Sequence, residues 1–404
     1  MGFIKKIEIE NFYSIKNAIS LDLESSEYMI KNHSDRVIKS KNENYSILNA
    51  IYGANASGKS SILRAIIAVS QVISNSSDER LPISFKNKFN SKKTLSKINL
   101  NFIVNEKEYL YELTFKSVDF KNIGIRNEIL YLIDNDKTLL FDRSKKIIKN
   151  IENNIKESIF NKLNDKKSLI YEFYKFDKTN EFEIILNFFK IIKYTTNITN
   201  AYITETAPSK NRIEKLLEHF MQEEIFGLKD FIINFLNSIG LDIVNLIPTY
   251  KLDDDGNKLF DSLFIKHKIS KSKELEFVLE SDGTMNLVQI LINVFIVKMN
   301  KSVLVIDEFD SILHPMLVPL LNKLLLDNKI QVIYTTHNIY NMKYLYHDEI
   351  TIIEKDSEHL TYVKELKKFD NIDFTDNILD LYEEGTFGGI PDINSIYTKI
   401  NNYE

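Results

Sequence analysis

The chain contains no cysteine. Disulfides, thiolate metal sites, iron–sulfur clusters and cysteine nucleophiles are therefore excluded, and a cytoplasmic setting is expected. No apolar run reaches the roughly 18 residues that span a bilayer. The longest candidate, Leu287–Met299, is interrupted by Gln289 and Asn293, so no membrane partner is expected. The opening MGFIKKIEIENF alternates apolar and polar residues as a strand does and does not read as a signal peptide. Met1-Gly2 begins like a myristoylation site, but Lys6 stands where Ser or Thr is needed. An excess of positive charge is also missing: 52 Lys and Arg face 57 Asp and Glu, a net charge of −5. That argues against a basic coat for nucleic acid, and any duplex DNA binding should be weak or confined to a local groove. Glycine is scarce, 11 in 404 residues, where an ordinary share is about 7%. Six sit in short clusters, Gly53 with Gly58, Gly283, and Gly385 with Gly388 and Gly389, where the backbone should need them.

What is present is a globular composition, 44% hydrophobic and 27% charged. Ile4–Phe12 and Ile19–Leu23 read as strands, and residues 24–44 as a polar loop. Tyr45–Tyr52 is a short apolar strand, and Ser61–Ile73 carries helical spacing through Ile62, Ala65, Ile66 and Val69. Residues 74–97 look irregular. Ile98–Val104, Glu108–Phe115 and Glu128–Ile133 read as antiparallel strands, with a turn at Asn105-Glu106-Lys107. From about 144 to 240 the pattern is helical without sustained heptads, which argues against a long coiled coil. Leu246–Leu252 and Leu259–Lys268 form a hairpin around Asp253-Asp254-Asp255-Gly256-Asn257; the spacing fails the calcium-loop pattern and reads as a turn. Strands follow at Glu274–Leu279, Ser302–Ile306, Gln331–Thr336 and Glu349–Glu354, with helices at Met285–Met299 and Met316–Leu326. The expected organisation is 1–143 as the first part of an α/β head, 144–245 as a helical insertion, and 246–404 as the second part. His347 and His359 are expected at the surface.

Four motifs carry chemistry. Gly53-Ala54-Asn55-Ala56-Ser57-Gly58-Lys59-Ser60 fits G-x-x-x-x-G-K-[ST], with a strand before it and an amphipathic helix after it. The glycines let backbone N–H groups curl around phosphates at a helix N-terminus. The expected nucleotide contacts are Gly53, Asn55, Ser57, Gly58, Lys59, Ser60 and Ser61, with Lys59 on the β- and γ-phosphates and Ser60 on Mg²⁺. Val303–Glu308 is a buried strand ending in two carboxylates. It supplies Asp307 as the second Mg²⁺ ligand and Glu308 as the group that orients or deprotonates the attacking water. Thr335-Thr336-His337-Asn338 ends another strand. In a parallel sheet that end faces the ligand, which places His337 near a γ-phosphate. Ser281-Asp282-Gly283-Thr284 opens a helix and reads either as an ordinary N-cap or as a second anion site. As an anion site, Ser281 and Gly283 would serve the ATP of a second copy.

The order of these motifs resembles that of ABC-type ATPase heads of the SMC and RecF class. The opening IKKIEIENFYSIKN is similar to that class's first strand, whose N-F-x-S lies near the nucleotide. The Ser-Asp-Gly-Thr turn stands for the signature L-S-G-G-Q, of which Ser281 and Gly283 carry over. Asp307-Glu308-Phe309-Asp310 followed by Leu313-His314-Pro315 resembles the D-E-x-x-x-x-L-H-P of OLD-like bacterial ATPases. The tail, HDEITIIEKDSEHLTYVKELKKF and LYEEGTFGGIPDI, resembles standalone ATPases of phage-defence systems such as the PARIS-type and RloA-like ATPases. The resemblance implies a mixed central sheet beside an antiparallel N-terminal subsheet, and Mg²⁺ with ATP as cofactors. It also implies a homodimer or higher oligomer closed through composite ATP sites, and a separately encoded effector such as a Toprim-type nuclease or another toxin. Only 67 residues follow His337, too few for a Toprim domain plus the remaining sheet, so a nuclease is expected as a partner. The helical insertion and the Gly385–Ile393 tail are the expected partner surfaces. A RecF-like repair clamp and an ATP-dependent scaffold with negligible turnover are the rival readings.

Overall fold

The computed structural model describes residues 2–40, 43–74, 95–117, 123–195, 227–252, 256, 258–268, 274–310, 313–358, 360–369 and 376–390. Of the sequence expectations, most of 74–97, the 196–226 part of the insertion, the Asp253–Asp255 turn, His359 and the tail beyond Ile390 lie outside the described residues.

The strands in chain order are β1 Gly2–Glu10, β2 Ile19–Asp22, β3 Val37–Lys39, β4 Asn44–Ser46, β5 Leu48–Tyr52, β6 Leu95–Val104, β7 Lys107–Ser117, β8 Ile123–Ile133 and β9 Lys137–Asp142. They continue with β10 Ile147–Ile148, β11 Lys193–Thr195, β12 Ile243–Leu252, β13 Lys258–His267, β14 Leu275–Glu276, β15 Val303–Ile306, β16 Gln331–Thr335, β17 Ile350–Lys355 and β18 Thr361–Glu365. A seven-stranded sheet runs β10-β9-β8-β7-β6-β1-β2, every pairing antiparallel. A six-stranded sheet runs β11-β15-β16-β5-β17-β18. Its first five strands are parallel and β18 is antiparallel to β17. The fold is thus α/β, a mixed sheet beside an antiparallel one, as the motif order implied.

Burial explains the strand patterns. β5 and β15 are buried at every position, which suits central strands of a sheet covered on both faces. The helix Lys59–Ser74 is buried at most of its positions. It packs on the helix Glu181–Ile191 to one side and on strands of both sheets to the other, so it needs apolar residues all round. Gln331 joins the two sheets: its Oε1 accepts from Ile4 N and its Nε2 donates to Ile4 O, both at 2.8 Å. In this way the bulge after Ile4 in the β1–β6 pairing is left with a satisfied backbone.

Several expectations need correction. Residues 24–44 are not a plain loop but hold a helix, Glu27–Asn32, capped by Ser26, and the β3–β4 hairpin. These elements are too short to show periodicity. Glu274–Leu279 shortens to a two-residue strand and a 3₁₀ turn. Within 144–245, Lys193–Thr195 pairs in parallel with Leu304–Ile306, so this segment forms the edge of the mixed sheet. Four phenylalanines of the segment, Phe173, Phe182, Phe188 and Phe189, are buried in the core, while Phe176 is exposed. Glu128, fully buried, fastens it to the antiparallel sheet by accepting bonds from Tyr111, Arg143, Ser168 and Leu169 N. His347 is buried at 2% exposure. It opens a 3₁₀ turn, His347–Glu349, that enters β17 and is buried at every position.

Candidate functional site

The carboxyl ends of β15, β16 and β5 lie side by side. This is the edge where parallel sheets bind ligands. Gly53 follows β5 with φ +144°, and an added Cβ would lie 2.1 Å from Ile353 O. Only glycine lets the chain pass there. Gly58, φ +119°, passes close to Ser14 and Thr361. Ala56 between them also has positive φ. The loop is tied down from outside: Thr361 Oγ1 donates to Ser57 O at 3.2 Å, and the Ser14 and Ser61 hydroxyls meet at 2.7 Å. The N-F-x-S segment Asn11–Ser14 therefore sits against the loop, as the resemblance implied. Ser61, expected on the nucleotide, has its hydroxyl on Ser14.

Lys59 is buried, and its Nζ donates to Gly53 O at 2.7 Å and Ala54 O at 3.1 Å. Loss of water pushes its pKa below the ordinary lysine value, while the carboxylates of Asp307 and Glu308 oppose the shift. The Ser60 hydroxyl donates to Asp307 Oδ1 at 2.9 Å. The same oxygen accepts from Thr335 Oγ1 at 2.6 Å, and Thr335 Oγ1 accepts from Glu308 N at 2.7 Å. Asp307 is 3% exposed and Glu308 only partly so. Glu308 has φ +53°, a left-handed conformation that costs a non-glycine residue about 1–2 kcal/mol.

An open cleft of about 590 Å³ is lined by Asn55, Glu308, Asp310, Pro315, His337 and Asn338. His337 follows β16 at the open face of this cleft. Partial desolvation, then the charge of Lys59, holds its pKa below the ordinary histidine value against Asp310, Glu308 and Asp307. The fold therefore brings Asn55, Lys59, Ser60, Asp307, Glu308 and His337 together. Ser281 and Gly283 are not among the cleft-lining residues. Ser281 is exposed and caps the helix Asp282–Asn300, its Oγ accepting from Thr284 N at 3.1 Å.

The donor set suits Mg·ATP. A hydroxyl and a carboxylate already in contact are hard oxygen ligands of the kind Mg²⁺ takes. Ser57 Oγ, buried in the loop, has no hydrogen-bond partner among the described residues. Asp310, Pro315, Asn338 and Thr335 stand within the sequence motifs without a role read from sequence. Their signal lay within the motifs but gave no spatial role. Thr361 carried no signal, since it meets the loop from a strand some 300 positions later.

A family model described as "AAA domain, putative AbiEii toxin, Type IV TA system" matches residues 48–342. No curated protein sequence gives a match. Solved structures similar to this chain include the SmcHead bound to the C-winged helix domain of ScpA, at 12% identity and TM-score 0.47, covering 90% of this chain and 97% of that one. The SMC head domain from Thermotoga maritima is similar at 15% identity and TM-score 0.41, covering 90% and 98%. The Smc head domain with an extended coiled coil, bound to the C-terminal domain of ScpA derived from Pyrococcus furiosus, is similar at 15% identity and TM-score 0.46, covering 95% and 99%.

Proposed function

This chain belongs to the AAA-domain family whose model spans residues 48–342, and on that premise we propose that it is an ABC-type ATPase hydrolysing Mg·ATP between two copies of itself. The observation that carries the reading is the meeting of the Gly53–Ser60 loop with Asp307, Glu308 and His337 at one sheet edge.

The loop N–H groups and Lys59 would bind the phosphates, Lys59 exchanging its bonds to Gly53 O and Ala54 O for phosphate oxygens. Magnesium, held by Ser60 and Asp307, would neutralise phosphate charge. Glu308 accepts the proton of the attacking water as its oxygen bonds to the γ-phosphorus and the bond to the β-phosphate oxygen breaks. His337, neutral at neutral pH, orients the γ-phosphate. Ser281 and Gly283, away from their own cleft, would meet the γ-phosphate of the opposing copy. The two parts of the head, 1–143 and 246–404, are joined through 144–245 as one working unit.

The biological role that fits is control of a separately encoded effector, a Toprim-like nuclease or other toxin, in anti-phage defence. The support is the tail resemblance and a family description that names a toxin–antitoxin system. The net charge of −5 supports a protein partner over duplex DNA.

The test is Mg·ATP turnover by the full chain. Glu308→Gln should keep nucleotide binding and lose at least about 10²-fold in rate, whereas Lys59→Ala should lose affinity. Mixing Ser281→Arg with Lys59→Ala protomers should restore one competent site per mixed dimer. Unchanged affinity in Lys59→Ala would sink the site. For the role, a pull-down is run beside a salt titration on duplex DNA. A co-purifying effector supports defence; tight DNA binding with a steep salt slope and no such protein favours the repair clamp.

A further inference from the structure

We propose that Thr335 is the positioning residue that holds Glu308 and Asp307 in working geometry; the proposal rests on the reading of Glu308 as the base.

Thr335 bonds the turn after β15 at three points. Thr335, the last residue of β16, accepts from Glu308 N through its hydroxyl at 2.7 Å and from Phe309 N through its carbonyl at 2.9 Å. Its hydroxyl proton goes to Asp307 Oδ1 at 2.6 Å. Thr335 is 1% exposed and Asp307 3%, so water cannot replace these bonds cheaply. Three consecutive residues, one a metal-ligand candidate and one the base, thus each bond to Thr335.

The geometry held is not the one the chain adopts by default. Glu308 sits at φ +53°, and a non-glycine residue stays there only when its surroundings fix it. The bond from Glu308 N to Thr335 Oγ1 lies next to that torsion. Without it the turn can relax toward negative φ, which swings the Glu308 side chain about its own Cα. Asp307 would meanwhile lose one of two donors to Oδ1, keeping Ser60 alone. Thr335 is 1% exposed and its hydroxyl is committed to Asp307 and Glu308 N, so it acts through these two residues.

The side-chain type follows. The hydroxyl must donate and accept at once, which serine can also do. Valine has the same shape and neither capacity. The loss should fall on turnover, because misplacing a reacting group by about 1 Å costs on the order of 10²-fold. Phosphate binding through the loop should be spared.

The experiment uses the full chain with Thr335→Val, Thr335→Ser and Glu308→Gln, alone and as Thr335→Val/Glu308→Gln, measuring kcat, KM and nucleotide affinity. Thr335→Val should lower kcat by about 10- to 100-fold, with affinity within about threefold, and Thr335→Ser should restore most of it. In the Glu308→Gln background Thr335→Val should cost less than it does alone, only the part that runs through Asp307 remaining. Should Thr335→Val fail to fold, Thr335→Cys carries the same test, a thiol being a weak donor and acceptor. Wild-type kcat in Thr335→Val, or equal losses of kcat and affinity, would overturn the proposal while leaving Glu308 as base. Unchanged turnover in Glu308→Gln would instead remove the base, and this proposal with it.

Discussion

Ser60 Oγ donates to Asp307 Oδ1 at 2.9 Å, joining residues 247 positions apart. One follows the glycine loop at the end of β5 and the other follows β15, with β16 between these strands in the sheet. Their contact places a hydroxyl and a carboxylate where one cation can take both.

Asp307→Asn keeps the shape and removes the charge. Nucleotide affinity in the presence of Mg²⁺ should fall about 10- to 100-fold, the scale of one or two charge-assisted contacts. With EDTA present, wild type and variant should bind alike. Titration calorimetry under both conditions checks this, and a variant deficit that survives EDTA would mean that Asp307 acts on the fold.

The depressed pKa of His337 has a direct consequence for turnover. Burial and Lys59 disfavour the imidazolium, so His337 is neutral near pH 7 and gains its proton only below the ordinary value of 6.5. The rate should be flat from about pH 7 to 8.5 and fall on an acid limb centred below 6.5. His337→Gln should remove that limb. A pH–rate profile with a midpoint above 6.5 would contradict the electrostatics of the cleft.

The site was legible because its residues are consecutive. Gly53–Ser60, Val303–Glu308 and Thr335–Asn338 each carry their chemistry within a few positions, and strand order then brings them together. What could not be read is non-local. Lys193–Thr195 has no strand pattern of its own and becomes a strand because Leu304–Ile306 offers an edge. His347 is buried by packing that spacing does not encode. Thr335 was visible as a residue, but its bonds to Asp307 and Glu308 exist only once β16 lies beside β15.

The β3–β4 region that reads as a loop is anchored by a buried ion pair. Arg36 donates to both carboxylate oxygens of Glu349, at 2.9 and 2.7 Å, with side-chain exposures of 13% and 0%. Arg36 also lies over the Tyr346 ring, which stacks on His33. Burial already pushes the Glu349 carboxyl up to about 7, so Arg36→Met would leave it protonated and short of its partner, which should cost about 1–3 kcal/mol in urea unfolding. Arg36→Met with Glu349→Leu should recover most of that, because the carboxyl short of its partner is gone. A double variant as unstable as the single one would assign the loss to the aromatic stack.

The tail glycines differ in what surrounds them, and that difference should separate stability from nucleotide binding. Gly385 and Gly389 both have positive φ, +84° and +75°. Alanine at either pays about 1–2 kcal/mol of backbone strain. Around Gly385 nothing lies within 4 Å of an added Cβ, so Gly385→Ala should show that strain alone. At Gly389 the new methyl would stand 2.5 Å from Ile352 Cγ2 and 3.7 Å from Gly53 Cα. Ile352 is fully buried on β17, in register with Tyr52, the residue before Gly53. It has no exposed space to move into, so the displacement must pass to β17 or to the start of the phosphate loop. Tyr382, whose hydroxyl donates to Gly389 O at 3.2 Å, limits retreat the other way. Gly389→Ala should therefore be less stable than Gly385→Ala and should also bind ATP about 5- to 10-fold more weakly, roughly 1 kcal/mol. Gly385→Ala should bind within about twofold of wild type. Equal affinities in the two variants would show that the tail turn rests beside the loop without bearing on it.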